Sequence, residues 1–86
     1  MEFNLKDYLK KFEQFMPREV VVKNLAITAI AEVTGITLTR PQMTVQGARV
    51  FVNAPSAIKS EIALKQAKIL ARMGEINPEV KIERVQ

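Results

Sequence analysis

The chain has 86 residues and a net charge of +4, and it contains neither cysteine nor histidine, so it has the size of one small domain and lacks several kinds of chemistry. Without cysteine there are no disulfides or thiolate metal sites, and without histidine the commonest general base and transition-metal ligand is missing. We therefore expect no metal, no cofactor and no catalytic residue, and a protein that is not an enzyme. Mild basicity fits binding to a polyanion, but many ordinary domains are equally basic.

The N-terminal residues 1–16 form the first predicted helix, because their apolar residues recur at the i, i+3, i+4, i+7 spacing of an amphipathic helix. We expect this helix to pack on the domain through Leu9, Phe12 and Phe15, although its apolar band could instead bind a partner or a second copy. The segment lacks the apolar core of a secretory signal, and no apolar run spans a membrane. These features predict a cytoplasmic protein without membrane contact.

A second helix is predicted from Arg18, with Gly35 just past its end as a left-handed cap. Its apolar stripe consists of Val22, Leu25, Ala26, Ala29, Ile30 and Val33. The next apolar segments alternate with period two, which predicts a β-hairpin around a two-residue loop, Gln46-Gly47. In that register Val45 pairs with Ala48 and Met43 pairs with Val50.

A third helix is predicted from a Ser56 cap to Gly74, and the segment "EVKIERV" at 79–85 predicts a third strand. A right-handed crossover would make the second and third strands parallel. The fold class is therefore α+β, of order α-α-β-β-α-β, with helices packed on a three-stranded mixed sheet, in a single domain over residues 1–86. The predicted core consists of Val45, Ala48, Val50, Val52, Ile62, Ile69, Leu70 and Ile82.

Several short sequence motifs follow one another from residue 32 onwards. A helix ends in Val-Thr-Gly, a Thr-Arg-Pro connection follows, and a glycine-turn hairpin leads into "APSAIKSEI", "ILARM" and "VKIERV". Over residues 32–86 the chain resembles the DciA-like domain of bacterial replication proteins. The resemblance implies a KH-like fold that binds the replicative DNA helicase and single-stranded or tailed DNA. The chain departs from the family at Ile58, where an aromatic residue is frequent, and at Pro55-Ser56, where Ser-Pro is often seen.

The candidate binding residues are basic. Lys65, Lys68 and Arg72 share one arc of the third predicted helix, where they could follow phosphates, although Glu61 at i−4 from Lys65 also fits an ordinary solvated face. Arg49 points away from the predicted core beside Phe51. Some single-strand binders stack bases on such an aromatic residue, but we expect Phe51 to lie under a helix. The predicted nucleic-acid-binding residues are Arg49, Lys59, Lys65, Lys68 and Arg72.

The chain has three glycines and no Gly-x-x-Gly loop, so it lacks the element with which KH domains clamp a nucleic-acid backbone. We predict a small non-enzymatic binding module, a DciA-like helicase partner with weak affinity for single-stranded nucleic acid. The alternative is a protein-interaction or structural protein without nucleic-acid contact, as a monomer or an oligomer. A contiguous positive patch in the folded chain would favour the first reading, and dispersed charges would favour the second.

Overall fold

The computed structural model describes residues 17–86, which form three α-helices, one short 3-10 helix and one three-stranded sheet. The elements in chain order are α1 (Arg18–Thr34), the 3-10 helix (Arg40–Gln42), β1 (Met43–Gln46), β2 (Arg49–Val52), α2 (Ser56–Leu64), α3 (Gln66–Ile76) and β3 (Arg84–Val85). The α+β class with helices beside a mixed sheet is confirmed. The first predicted helix, with its expected contacts through Leu9, Phe12 and Phe15, lies outside the described residues.

Packing of its apolar stripe on the core stabilises α1. Local propensity does not, since the many β-branched residues of the segment disfavour a helix. All but the last residue of the predicted stripe are buried, and Val33 is half-buried against the core. The helix ends at Gly35, whose φ of 78° is left-handed and whose amide donates a 2.9 Å hydrogen bond to the Ala31 carbonyl. The predicted cap is therefore confirmed.

The hairpin forms, but the predicted register is wrong by two residues. Its loop is Gly47-Ala48, and Val45 pairs with Val50 while Met43 pairs with Val52. Gly47 has a φ of 60° and is the first loop residue, as in a type II′ turn, so it suits this position better than the predicted second one. Because the shift is even, it keeps every strand residue on its predicted face.

The third predicted helix is two helices, because the chain bends at Lys65 between α2 and α3. No glycine or proline lies at the bend, so the local sequence does not explain it. We attribute the bend to tertiary contacts, which override local helix propensity. Pro55, not Ser56, is the N-cap of α2, and α3 continues past Gly74 to Ile76. These three details of the prediction are wrong.

The third strand is shorter than predicted, because only Arg84 and Val85 pair with β2. The pairing is parallel, as predicted, and β2 lies in the centre of the sheet. Val80 and Ile82, which the prediction placed in the strand, are half-buried and pack against the core from an irregular segment.

One face of the sheet packs on the helices, and the described residues share one hydrophobic core. Four residues of the predicted core are buried, and three others are half-buried against it. Ala48 is not part of the core, because it lies in the turn. The opposite face carries Thr44, Gln46, Arg49 and Arg84, which are all exposed, so no described element covers it.

Candidate nucleic-acid interface

Two arginines lie side by side on the exposed face of the sheet. The parallel register sets Arg49 opposite Arg84 and Val50 opposite Val85. Because Val50 and Val85 are buried in the core, the alternating arginines project from the other face. Their strands are about 4.8 Å apart. Neither arginine forms an ion pair with any residue in the part of the chain that the structure describes.

Arg84 also lines an open groove of about 730 Å³ between α2 and the end of β3. Lys59, from the second turn of α2, lines the same groove and likewise has no ion pair within residues 17–86. The described residues give the groove a mixed lining, which includes two serine hydroxyls, one carboxylate and two side-chain amides. The polar lining residues are Ser56, Lys59, Ser60, Gln66, Glu83, Arg84 and Gln86.

Arg84 therefore lies next to Arg49 on the sheet and lines the groove together with Lys59. We call these three residues the Arg84 surface. Arg49 and Lys59 were predicted as binding residues from the sequence, whereas Arg84 was not. No signal in the sequence pointed to Arg84, because it is in phase with Val80 and Ile82 of the predicted strand, whereas the structure buries Val85 and leaves Arg84 exposed.

The position of Arg84 depends on hydrogen bonds from both sides of β3. On the side facing β2, the Glu83 amide donates to the Ala48 carbonyl at 2.7 Å and the Gln86 amide donates to the Val50 carbonyl at 2.8 Å. On the outer side the Gln66 side chain forms two bonds with Val85: its Nε2 donates to the carbonyl at 2.5 Å, and its Oε1 accepts from the amide at 2.6 Å. Gln66 thus takes the place of a further strand and closes this part of the edge.

Replacing Gln66 with leucine should destabilise the domain by about 1–3 kcal/mol, because it leaves the partly buried amide and carbonyl of Val85 without their partner. Chemical denaturation measures the difference. Gln66→Glu is a second test: it keeps an acceptor for the Val85 amide but sets a carboxylate oxygen against the Val85 carbonyl, so it too should be less stable than the wild type. If Gln66→Leu is as stable as the wild type, Gln66 does not hold β3.

The positive charge of the predicted arc, Lys65 at the bend with Lys68 and Arg72 on α3, is largely neutralised. Lys65 Nζ lies 3.1 Å from Glu61 Oε1, which confirms the expected i, i+4 contact. The Arg72 guanidinium forms ion pairs with Glu32 on α1 and with Glu75 on α3, the latter at 3.0 Å. Lys68 is exposed and has no ion pair among the described residues. The five predicted residues therefore do not form one contiguous positive patch: Arg49 and Lys59 adjoin Arg84, whereas Lys65, Lys68 and Arg72 are interspersed with acids.

The Glu32–Arg72 pair should make the stability of the domain depend on pH, although only weakly, because both side chains are nearly half exposed. The hydrogen bond from Arg72 holds the pKa of the Glu32 carboxyl below its ordinary value of 4.5. A lowered pKa in the folded state means that the pair stabilises the fold at neutral pH and that this contribution is lost as the pH falls through the lowered pKa.

We expect Glu32→Gln to lower the melting temperature at pH 7 and to have no effect at a pH below the lowered pKa, where Glu32 itself is neutral. Thermal melts over a pH series measure this difference. Glu79→Gln removes the same charge at an exposed position without an ion pair in residues 17–86, so it serves as the control. A deficit for Glu32→Gln that persists unchanged in acid would show that the ion pair is not its cause.

Comparisons with protein-family models, with curated proteins and with solved structures find no match for this chain. The resemblance of residues 32–86 to the DciA-like domain therefore stays a prediction from the sequence. Among residues 17–86, no helix combines the length and apolar character that crossing a membrane requires.

Proposed function

We propose that this chain is a non-enzymatic module that binds single-stranded nucleic acid through the phosphates, with the Arg84 surface as the principal contact. The observation that carries the proposal is the register of β2 and β3, which sets Arg49 directly beside Arg84. Like charges directly opposite each other in a sheet are destabilising. A phosphate between the two guanidinium groups would relieve this repulsion and accept charge-assisted hydrogen bonds from both.

Lys59 extends the proposed contact into the groove beside α2. Its exposed ammonium and the hydroxyls of Ser56 and Ser60 are donors on the side of the groove facing β3. A strand whose phosphate lies between the arginines could continue along this groove. Among residues 17–86, Glu83 is the one acidic residue that lines the groove, and it limits the net charge there. Affinity should therefore be modest.

The arc of Lys65, Lys68 and Arg72 makes a secondary contribution in this proposal. Exposed ion pairs are weak, so a phosphate could still compete with Glu61 for Lys65. Every such contact, however, must first displace a carboxylate, except at Lys68. The arc should consequently add less salt-dependent affinity than the Arg84 surface.

We also propose that the domain is KH-like and DciA-like, and that it acts in the cytoplasm in DNA replication as a partner of the replicative helicase. The resemblance of residues 32–86 supports this proposal. The order of elements from α1 to β3 also supports it, because it contains the helix, two strands, helix and strand of that fold, with the second helix divided at Lys65.

A contact with a protein has one observation of its own. Leu64, the last residue of α2, has 81% of its surface exposed at the bend before α3. A leucine there could anchor a protein partner. If it does, Leu64→Ser should weaken binding to the replicative helicase of the source organism and leave binding to oligonucleotides unchanged. Equal helicase binding by both forms would exclude Leu64 as the anchor.

The proposed nucleic-acid contact is tested by titrating the full chain with single-stranded DNA and RNA at several salt concentrations. Three phosphate contacts predict a dissociation constant on the order of 10 micromolar or weaker at physiological salt. The logarithm of affinity should fall with the logarithm of salt with a slope of about −2, since each contact on a single strand contributes about −0.7. Failure to bind either polymer at low salt would refute the proposal and leave the protein-contact alternative.

A further inference from the structure

We infer that the exposed face of the sheet stacks an unpaired base on Phe51, so that the target is selected by its bases as well as by its phosphates. This inference rests on the proposed function. Phe51 lies on β2 two residues after Arg49, and alternation places both side chains on the face opposite Val50. Phe51 is half-buried, and its cross-strand partner Thr44 is exposed.

The described neighbours of Phe51 are exposed and polar. On β1 its neighbours are Thr44 and, beyond it, Gln46, both exposed and polar. On the other side the backbone at Gln86 runs beside β2, since the Val52 amide donates to the Gln86 carbonyl at 2.6 Å. Gln86 is exposed as well. Phe51 is therefore an aromatic side chain set among exposed polar ones, with no described element above it.

Distance and charge favour a nucleotide as the occupant. Same-face residues two apart on a strand are separated by about 6.7 Å, so a base on Phe51 would bring its own phosphate within reach of Arg49. Arg84 could then contact the same phosphate from the adjacent strand. Base stacking on an aromatic side chain is tolerant of sequence. It also requires a base that is not already stacked in a duplex, so it selects single strands.

The inference is tested with two oligonucleotides of about ten nucleotides, one intact and one abasic, which carry the same number of phosphates. We expect the full-length wild type to bind the intact strand about fivefold to 100-fold more tightly than the abasic strand, the range typical of stacking one base. Phe51→Leu should bind both strands with the same, weaker affinity, while Phe51→Tyr, which keeps an aromatic ring, should retain the preference. Deoxyribose and ribose versions of each strand distinguish DNA from RNA as the target.

The outcomes separate this inference from the proposed function. Equal affinity of the wild type for intact and abasic strands would overturn base stacking while leaving phosphate binding in place. It is also the result expected if the first predicted helix, in residues 1–16, covers Phe51. Absence of binding to both strands would overturn both proposals. If Phe51→Leu fails to fold, which a thermal melt reveals, the wild-type ratio and Phe51→Tyr still decide the question.

Discussion

Replacing Val50 with aspartate is expected to abolish cooperative unfolding of the domain. Val50 lies in the central strand and is fully buried in the core cluster. Among the described residues no basic side chain is buried, so a carboxylate at this position would have no buried cation to pair with. An unpaired buried charge costs several kcal/mol, and the total stability of a domain is only about 5–15 kcal/mol. Thermal melts followed by circular dichroism should therefore show a broad, non-cooperative transition.

The control for this substitution is Thr44→Asp, which introduces the same carboxylate on the exposed face of the same sheet. It should melt cooperatively and within a few degrees of the wild type, since surface substitutions usually change stability by less than about 0.5 kcal/mol. A cooperative melt of Val50→Asp near the wild-type temperature would show that Val50 does not face the core. The assignment of the opposite face to Arg49 and Arg84 would then fail too.

The double variant Arg49→Gln/Arg84→Gln is expected to lose most of the affinity for single-stranded nucleic acid. It removes two of the three charges of the Arg84 surface. At low salt the affinity should fall at least about tenfold, and the salt slope should become shallower by about 1.4. Thermal stability should be unchanged or raised, because the substitution also removes the repulsion between two adjacent like charges. Titrations at several salt concentrations, with a melt of each variant, measure both effects.

The comparison variant replaces the three residues of the basic arc and is Lys65→Gln/Lys68→Gln/Arg72→Gln. It removes three charges instead of two, yet two of them are already held by carboxylates. The double variant should therefore reduce the salt slope more than the triple variant does. The reverse order would show that the arc, and not the Arg84 surface, is the principal contact.

The sequence predicts much of the fold where the spacing of apolar residues agrees with the capping and turn residues. The stripe of α1 and the cap at Gly35 follow directly from helical spacing and from the left-handed conformation that glycine allows. Strand alternation places Val50 and Val52 correctly. The sequence does not determine the hairpin register, because glycine is accepted at either position of a two-residue loop. The prediction made Gly47 the second loop residue, whereas in the structure it is the first, so the loop moves by one residue.

The remaining differences arise from contacts between distant parts of the chain. The bend at Lys65 has no local signal, and the adjacent Gln66 is bonded to the backbone of Val85, nineteen residues along the chain. The Arg72 pair with Glu32 likewise spans two helices, so the basic arc looks more positive in the sequence than it is in the fold. Arg84 is not among the residues predicted to bind nucleic acid, and the observed register of β2 and β3 shows that it adjoins Arg49.

The central claim is that single-stranded nucleic acid binds the exposed face of the sheet and the adjoining groove. Mapping amide chemical-shift changes by NMR, during titration of the full chain with a short single-stranded oligonucleotide at low salt, tests it most directly. We predict the largest changes at Arg49, Phe51 and Arg84, with smaller ones at Lys59. Changes concentrated at Lys65, Lys68 and Arg72 or around Leu64, with the sheet unaffected, would contradict the claim.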